Sequence, residues 1–251
     1  MKCMRSGTAL LAVCLLALIP TVAAQSGEAY FVIVLGSQRT PSDPNYSHTF
    51  ATFIHTTWTG NGPCTAPVSL ESYTVSWMPR NLKIRPLALL PECGYNFGLH
   101  ESIQFAQKTD QRVSLWGPYQ INPCLFVRAL DRVRELQSGR VQYKANDFGY
   151  CSGKVSNCIH AVSTVIDGPH LCVFSPGCGE VASYAVLLRM EPTIIDTNRI
   201  HPWVGTALGL GQYPIIYREW PPPLSGAVVG PINRLLGGER CLTPTYGRPK
   251  R

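Results

Sequence analysis

The hydrophobic pattern divides the chain into a β-rich first part and a mainly helical second part. Residues 29–36 form a continuous apolar run, which is the pattern of a central strand. Residues 48–58 and 69–77 are rich in aromatic and β-branched side chains and are separated by a Gly/Pro turn. These two runs predict an antiparallel pair of strands, so we expect an antiparallel sheet at the centre of the fold.

Helical periodicity follows the third strand. A first helix is predicted at 96–108, and the Gly117-Pro118 step interrupts the pattern after it. A second helix is predicted between an Asn122 cap and a Gly139 stop, and a third at about 157–166. A later apolar stretch, 184–190, fits either a strand or a helix. The fold class that follows is α+β, an antiparallel sheet packed against helices.

The two ends of the chain differ in composition from its middle. Residues 1–24 begin with positive charge, continue as a short apolar run and end in Val22-Ala23-Ala24, the pattern of a secretory signal peptide cleaved before Gln25. No later window offers about 18 uninterrupted apolar residues, so we predict no transmembrane segment. We predict one domain over 25–215 and a Pro/Gly-rich tail over 216–251. The protein is therefore expected to be secreted or periplasmic.

The charge of the chain does not indicate a nucleic-acid partner, and we predict none. The formal net charge is +7, and it falls to about +5 once Lys2 and Arg5 leave with the signal peptide. The remaining basic residues are scattered, without a long basic face or interleaved aromatic residues. Their general role is to keep the surface soluble, with weak attraction to an anionic polymer or envelope surface as a further consequence.

The chain contains more cysteines than a single catalytic role requires. Eight follow the signal peptide, an even number that permits four disulfides, with Cys172 and Cys178 as the closest pair that resembles a local bridge. A free nucleophile among the eight would leave at least one other cysteine unpaired. No Cys/His spacing fits structural zinc. A glycine series at 205, 209 and 211 lacks the Gly-Lys-Ser/Thr end of a phosphate loop, so we expect neither metal nor cofactor.

Cys158 is the candidate nucleophile because it begins a predicted helix. Ser156 or Asn157 can cap this helix, and Ile159 and Val162 follow at helical spacing. Unsatisfied backbone N–H groups and the positive end of the helix dipole lower the pKa of a thiol in the first turn. The structural alternative is that Cys158 is a half-cystine, as most cysteines of secreted proteins are.

A cysteine nucleophile needs a histidine base and a polar group that orients the imidazole. His160 lies about 200° from Cys158 around the same helix and cannot face the thiol, so it is expected to be structural. His48 opens the second strand, and antiparallel pairing places Ser76, at the end of the next strand, beside it. Ser76 is therefore the predicted orienting group, with Glu71, which lies nearer His55, as a weaker choice.

These segments resemble a known superfamily. His48-Thr-Phe-Ala-Thr-Phe, Val75-Ser76-Trp77 and Asn157-Cys158-Ile159-His160 together resemble the circularly permuted papain-like superfamily, which includes NlpC-type amidases and relatives of lecithin:retinol acyltransferase. In that group the histidine strand precedes the cysteine helix. The resemblance implies a permuted papain-like core with Cys158 as nucleophile, His48 as general base and Ser76 as the third polar group. Ile159 departs from the acidic residue that the acyltransferase relatives carry there.

Two functions follow from the sequence. The first is a thiol-dependent hydrolase or acyltransferase that forms a thioester with a peptide, a cell-wall amide or an acyl ester through a Cys–His dyad. The rival is a non-enzymatic, disulfide-stabilised extracytoplasmic protein that uses the same sheet for binding or as a structural platform. The decisive point is whether the Cys158 thiol and the His48 imidazole meet in the fold.

Overall fold

The computed structural model describes residues 26–59, 67–146, 154–166, 171 and 179–220. Its strands and helices form an α+β fold dominated by antiparallel pairing, as the sequence predicted. The predicted signal peptide, the turn at 60–63, the pairing of Cys172 with Cys178 and the tail beyond 220 lie outside the described residues. Within the described ranges, none of the helices has both the length and the apolar character needed to cross a membrane.

Nine strands and five α-helices are described. The strands are β1 Ser26–Gln38, β2 Ser47–Thr59, β3 Pro67–Val75, β4 Trp77–Pro79, β5 Glu92–Asn96, β6 Arg112–Ile121, β7 Gln142–Tyr143, β8 Val155–Ser156 and β9 Ile215–Arg218. The helices are α1 Leu99–Lys108, α2 Pro123–Gln137, α3 Cys158–Ser163, α4 Gly179–Met190 and α5 Pro202–Ala207, with short 3-10 turns at Pro44–Tyr46, Glu191–Thr193 and Leu210–Gln212.

The larger sheet has the strand order β3-β2-β1-β6-β9. Its first four strands are antiparallel, so the predicted pairing of β2 with β3 is confirmed, and β9 adds in parallel to β6. The register sets Leu35 opposite Phe50 and Thr52 opposite Thr74. A smaller sheet, β4-β5-β7-β8, lies beyond the end of β3.

Strand β6 corrects a sequence prediction. The Gly117-Pro118 step, expected to break the pattern, lies inside this strand, and the pairing register shifts between Val32 and Val34 to accommodate it. Gly117 has a φ of +97°, and a Cβ there would lie 2.8 Å from the Val32 carbonyl oxygen. Glycine is thus required at this irregularity of the strand. A Gly-Pro pair usually indicates a turn, but in β6 it forms a bulge.

The sheet separates two hydrophobic layers because side chains alternate along each strand. Val32, Val34, Ala51 and Phe53 point to one face, which α2, α3 and α4 cover. The intervening residues point to the other face, which α1 and α5 cover. We call these the α3 face and the α1 face.

The stretch 184–190 is helical and belongs to α4. The first turn of this helix is bound to the sheet through Glu180. Glu180 accepts hydrogen bonds from Arg112 at 2.9 and 3.0 Å, from Arg218 at 3.1 Å and from Ser114 at 2.5 Å. Burial alone would raise the pKa of Glu180, but these donors outweigh it and the pKa is lowered. Arg218 belongs to β9, so the sheet continues past residue 215, where the sequence placed the start of the tail.

Candidate functional site

His48 lies at the start of β2 and its ring is buried on the α1 face. Only 1% of the residue is exposed, and the imidazole stacks on Phe50 with ring centroids 5.2 Å apart. Its Nε2 atom lies 2.8 Å from the Ser76 hydroxyl oxygen. The structure therefore brings together the two residues that strand pairing predicted to be neighbours.

A third residue extends this pair into a chain of hydrogen bonds. The Ser102 hydroxyl oxygen, on α1, lies 2.7 Å from both Ser76 Oγ and the Gly98 carbonyl oxygen. The Ser102 hydroxyl donates toward these two acceptors, and the Gly98 carbonyl also accepts from the Ser102 backbone N–H at 3.0 Å. Ser76 Oγ therefore accepts from Ser102, and the direction of its bond with His48 Nε2 follows the imidazole tautomer. The three side chains form a buried chain of hydrogen bonds from His48 through Ser76 to Ser102.

The environment of His48 makes it a weak base. Burial lowers the pKa of His48 from 6.5 to about 3, since the charged imidazolium loses its hydration in this layer. Nδ1 has no hydrogen-bond partner among the described residues. A general base works best with a pKa near the pH at which it operates, so a neutral imidazole this deeply buried is poorly matched to that role.

Ser102 was missed from sequence, although a signal for it exists. It stands among the buried residues Leu99, Ile103 and Ala106, and it is a polar residue on the same side of α1. A polar side chain at a core position needs a partner inside the protein. That requirement points to a buried polar group across the layer, which here is Ser76.

Cys158 is the first residue of α3, where the sequence placed it. The Asn157 side chain caps the helix by accepting a hydrogen bond from the His160 backbone N–H at 2.8 Å, and Cys158 itself is half-buried. Burial raises the pKa of Tyr143 well above its usual value, and negative charge on Cys158 and then on Glu92 adds to this rise. Cys158 is therefore a neighbour of Tyr143, whose ring belongs to the core of the α3 face.

Arg132 of α2 holds the segment that carries Cys158. Its buried guanidinium donates to Ser156 Oγ at 2.9 Å and to the Ala161 carbonyl oxygen at 3.3 Å, one on each side of the cysteine. It also pairs with Glu135 at 2.6 Å. Burial lowers the pKa of Arg132, which Glu135 partly offsets.

The helix that carries the predicted nucleophile and the ring of the predicted base pack on opposite faces of the sheet. Helix α3 contributes Ala161 and Val162 to the core of the α3 face, whereas the His48 ring packs with Phe50 and α1 on the other. The structure thus brings His48 to Ser76, and neither ring nitrogen of His48 is hydrogen-bonded to Cys158. His160 is buried, as expected of a structural histidine. Glu71 lies opposite His55, whose Nε2 instead contacts Glu28 at 3.1 Å.

A cavity of about 560 Å³ lies on the α1 face at the far edge of the sheet. Twelve described residues line it: Leu115, Gly117, Pro118, Ile200, Pro202, Gly205, Thr206, Gly209, Leu210, Gly211, Gln212 and Tyr217. None of these twelve carries a charge. The glycines at 205, 209 and 211, whose series lacks the end of a phosphate loop, form part of this wall.

No protein-family model, curated protein or solved structure matches the chain.

Proposed function

We propose that the protein is a binding protein without catalytic activity, whose ligand is an uncharged, mainly apolar molecule held in the cavity beside β6, β9 and α5. The observation that carries the proposal is this cavity, with its uncharged lining. Its volume lies within the range of small-molecule sites, which are mostly apolar with a few polar groups that orient the ligand. Thr206, Gln212 and Tyr217 are the polar side chains available for that purpose.

The lining argues for an apolar ligand on electrostatic grounds. A charged ligand would lose hydration on entry and would find no opposite charge among the twelve lining residues, so its binding would be penalised. Four of the twelve are glycines, which expose backbone N–H and C=O groups to a bound molecule. A neutral ligand with one or two hydrogen-bonding groups fits both features.

In this proposal the chain is exported through the signal peptide at 1–24, and its core is a permuted papain-like core in which the catalytic pair is not assembled. The support for the second point is the position of His48. The imidazole is hydrogen-bonded through Nε2 to Ser76 in a buried chain of hydrogen bonds, its pKa is about 3, and it lies on the opposite face of the sheet from α3. These features suit a structural histidine better than a base.

The cavity is tested by filling it. A Cβ added at Gly205 meets Leu210 Cδ1 at 3.9 Å, an ordinary contact, so Gly205→Ala is a tolerated control and Gly205→Phe places a ring in the space. We expect a neutral environment-sensitive dye such as Nile red to bind the wild type and G205A alike. G205F should lose about tenfold in affinity or more while unfolding at the same urea concentration. Equal dye binding by all three would refute the proposal.

A second candidate is thiol chemistry at Cys158, the first function considered from the sequence. The observation in its favour is the helix start: Asn157 caps α3, and Cys158 is half-buried in its first turn. This candidate requires a base other than His48, because the His48 ring and α3 pack on opposite faces of the sheet. Trapping by an electrophilic acyl probe that vanishes in Cys158→Ala, at a rate well above that of a model thiol, would support it over the binding protein.

A further inference from the structure

The segment between β4 and β5 exposes three leucines. Leu87, Leu89 and Leu90 are 90%, 83% and 75% exposed, the largest values among the exposed large hydrophobic residues that the structure describes. Single exposed apolar residues are ordinary, but three within four positions form a patch whose hydration is unfavourable. Such a patch indicates an interaction that removes it from water.

The backbone of this segment is held so that the leucines stay outside. Ile84 is buried and anchors the middle of the segment. The Asn146 side-chain amide donates to the Pro86 carbonyl at 2.6 Å and to the Ala88 carbonyl at 3.2 Å. The Ala88 N–H donates in turn to the Arg85 carbonyl at 3.0 Å. These bonds hold the loop backbone on either side of Leu87, and the three leucine side chains stay exposed.

Positive charge accompanies the leucines. Arg80, Lys83 and Arg85 are exposed in the same segment. The nearest acidic partner is Glu92, whose carboxylate lies 3.9 Å from the Arg85 guanidinium. Exposed leucines flanked by basic residues are the combination that inserts into the headgroup region of an anionic bilayer, where the leucines leave water and the cations meet lipid phosphates.

We propose that the loop Arg80–Leu90 docks the protein on the surface of an anionic lipid bilayer, with the three leucines inserted at the level of the headgroups. A lipid surface fits better than a folded protein partner because the apolar side chains project from a loop and offer no groove or flat face. The docking is peripheral and reversible, since three leucines bury little area compared with a membrane-spanning helix. It is independent of the cavity at Gly205.

Sedimentation with vesicles tests the proposal on the full-length protein. We expect binding to vesicles of mixed phosphatidylcholine and phosphatidylglycerol that weakens in high salt and is much weaker on pure phosphatidylcholine. The variant L87S/L89S/L90S should lose about tenfold in affinity or more, and R80Q/K83Q/R85Q should lose roughly tenfold at low salt. G205F should bind vesicles like the wild type, which separates this test from that of the proposed ligand cavity.

The matched control exchanges three exposed aliphatic residues elsewhere, Val127, Val181 and Ile195, for serine. This triple variant should bind vesicles like the wild type, and circular dichroism should show that every variant is folded. The proposal is overturned if the wild type does not bind anionic vesicles, or if the leucine and control variants behave alike. It is also overturned if the leucine change abolishes a dimer seen by sedimentation velocity and leaves vesicle binding intact.

Discussion

Acid should weaken the fold through His48. The imidazole has a pKa of about 3 in the folded protein and 6.5 when exposed. Between these values the unfolded chain binds a proton that the folded chain does not, so stability falls as the pH drops through this window and is regained as it rises. On going from about pH 7.5 to about pH 5, the loss from this one residue amounts to about 2 kcal/mol.

The substitution His48→Gln isolates this contribution. A glutamine side-chain amide can donate to or accept from Ser76 in place of Nε2, and it does not titrate. The free energy of unfolding is measured with urea at several pH values for both proteins. The pKa of His201 is also lowered, mainly by burial and then by Arg199. Both proteins contain His201, so its contribution to the pH dependence cancels in the difference.

The wild type should lose about 2 kcal/mol more than H48Q between about pH 7.5 and about pH 5. A difference that does not change with pH would refute the reasoning, because it would mean that the folded protein binds the proton as readily as the unfolded chain. The histidine would then be hydrated, and the buried chain of hydrogen bonds from His48 to Gly98 would not exist in the form described.

Three further substitutions test other parts of the structure by urea unfolding. Ser76→Ala leaves the buried His48 Nε2 without its hydrogen-bond partner and should cost about 2 kcal/mol, whereas Ser72→Ala, on the exposed side of β3, should cost little. Arg132→Met removes the clamp around Cys158 and should cost about 3 kcal/mol, while Arg134→Met on the exposed turn of the same helix should stay within about 0.5 kcal/mol. Glu180→Gln should destabilise the protein at neutral pH and remove the part of the stability loss below about pH 4.5 that comes from Glu180, because the wild-type carboxylate has a lowered pKa; equal acid sensitivity of the two proteins in this range would contradict this.

Local patterns predicted the parts of the fold that depend on local physics. The strands β1 to β3, the antiparallel pairing of β2 with β3 and the helices α1 to α3 follow from side-chain periodicity and capping residues. The neighbourhood of His48 and Ser76 follows from that pairing alone, since residues at the start of one antiparallel strand lie opposite the end of the next.

The remaining features depend on the tertiary structure. Strand β6 contains a Gly-Pro pair that a single sequence presents as a break, and only the neighbouring carbonyl of Val32 explains the glycine. The face on which His48 lies could not be predicted, because alternation defines two faces without saying which helices cover each one. The α3 helix was assigned correctly, yet its packing opposite His48 separates the two residues that sequence reasoning joined.

The central claim is that Cys158 does not act through His48, and thiol reactivity tests it most directly. In a C93S/C124S background, which removes two exposed cysteines, the rate of iodoacetamide addition to Cys158 is followed by peptide mass spectrometry across neutral pH, with C158A as the blank. The structure predicts the same rate and the same pH profile with His48 and with Gln at that position. A rate that falls about a hundredfold in H48Q, with a shifted profile, would contradict it and would restore the Cys–His dyad.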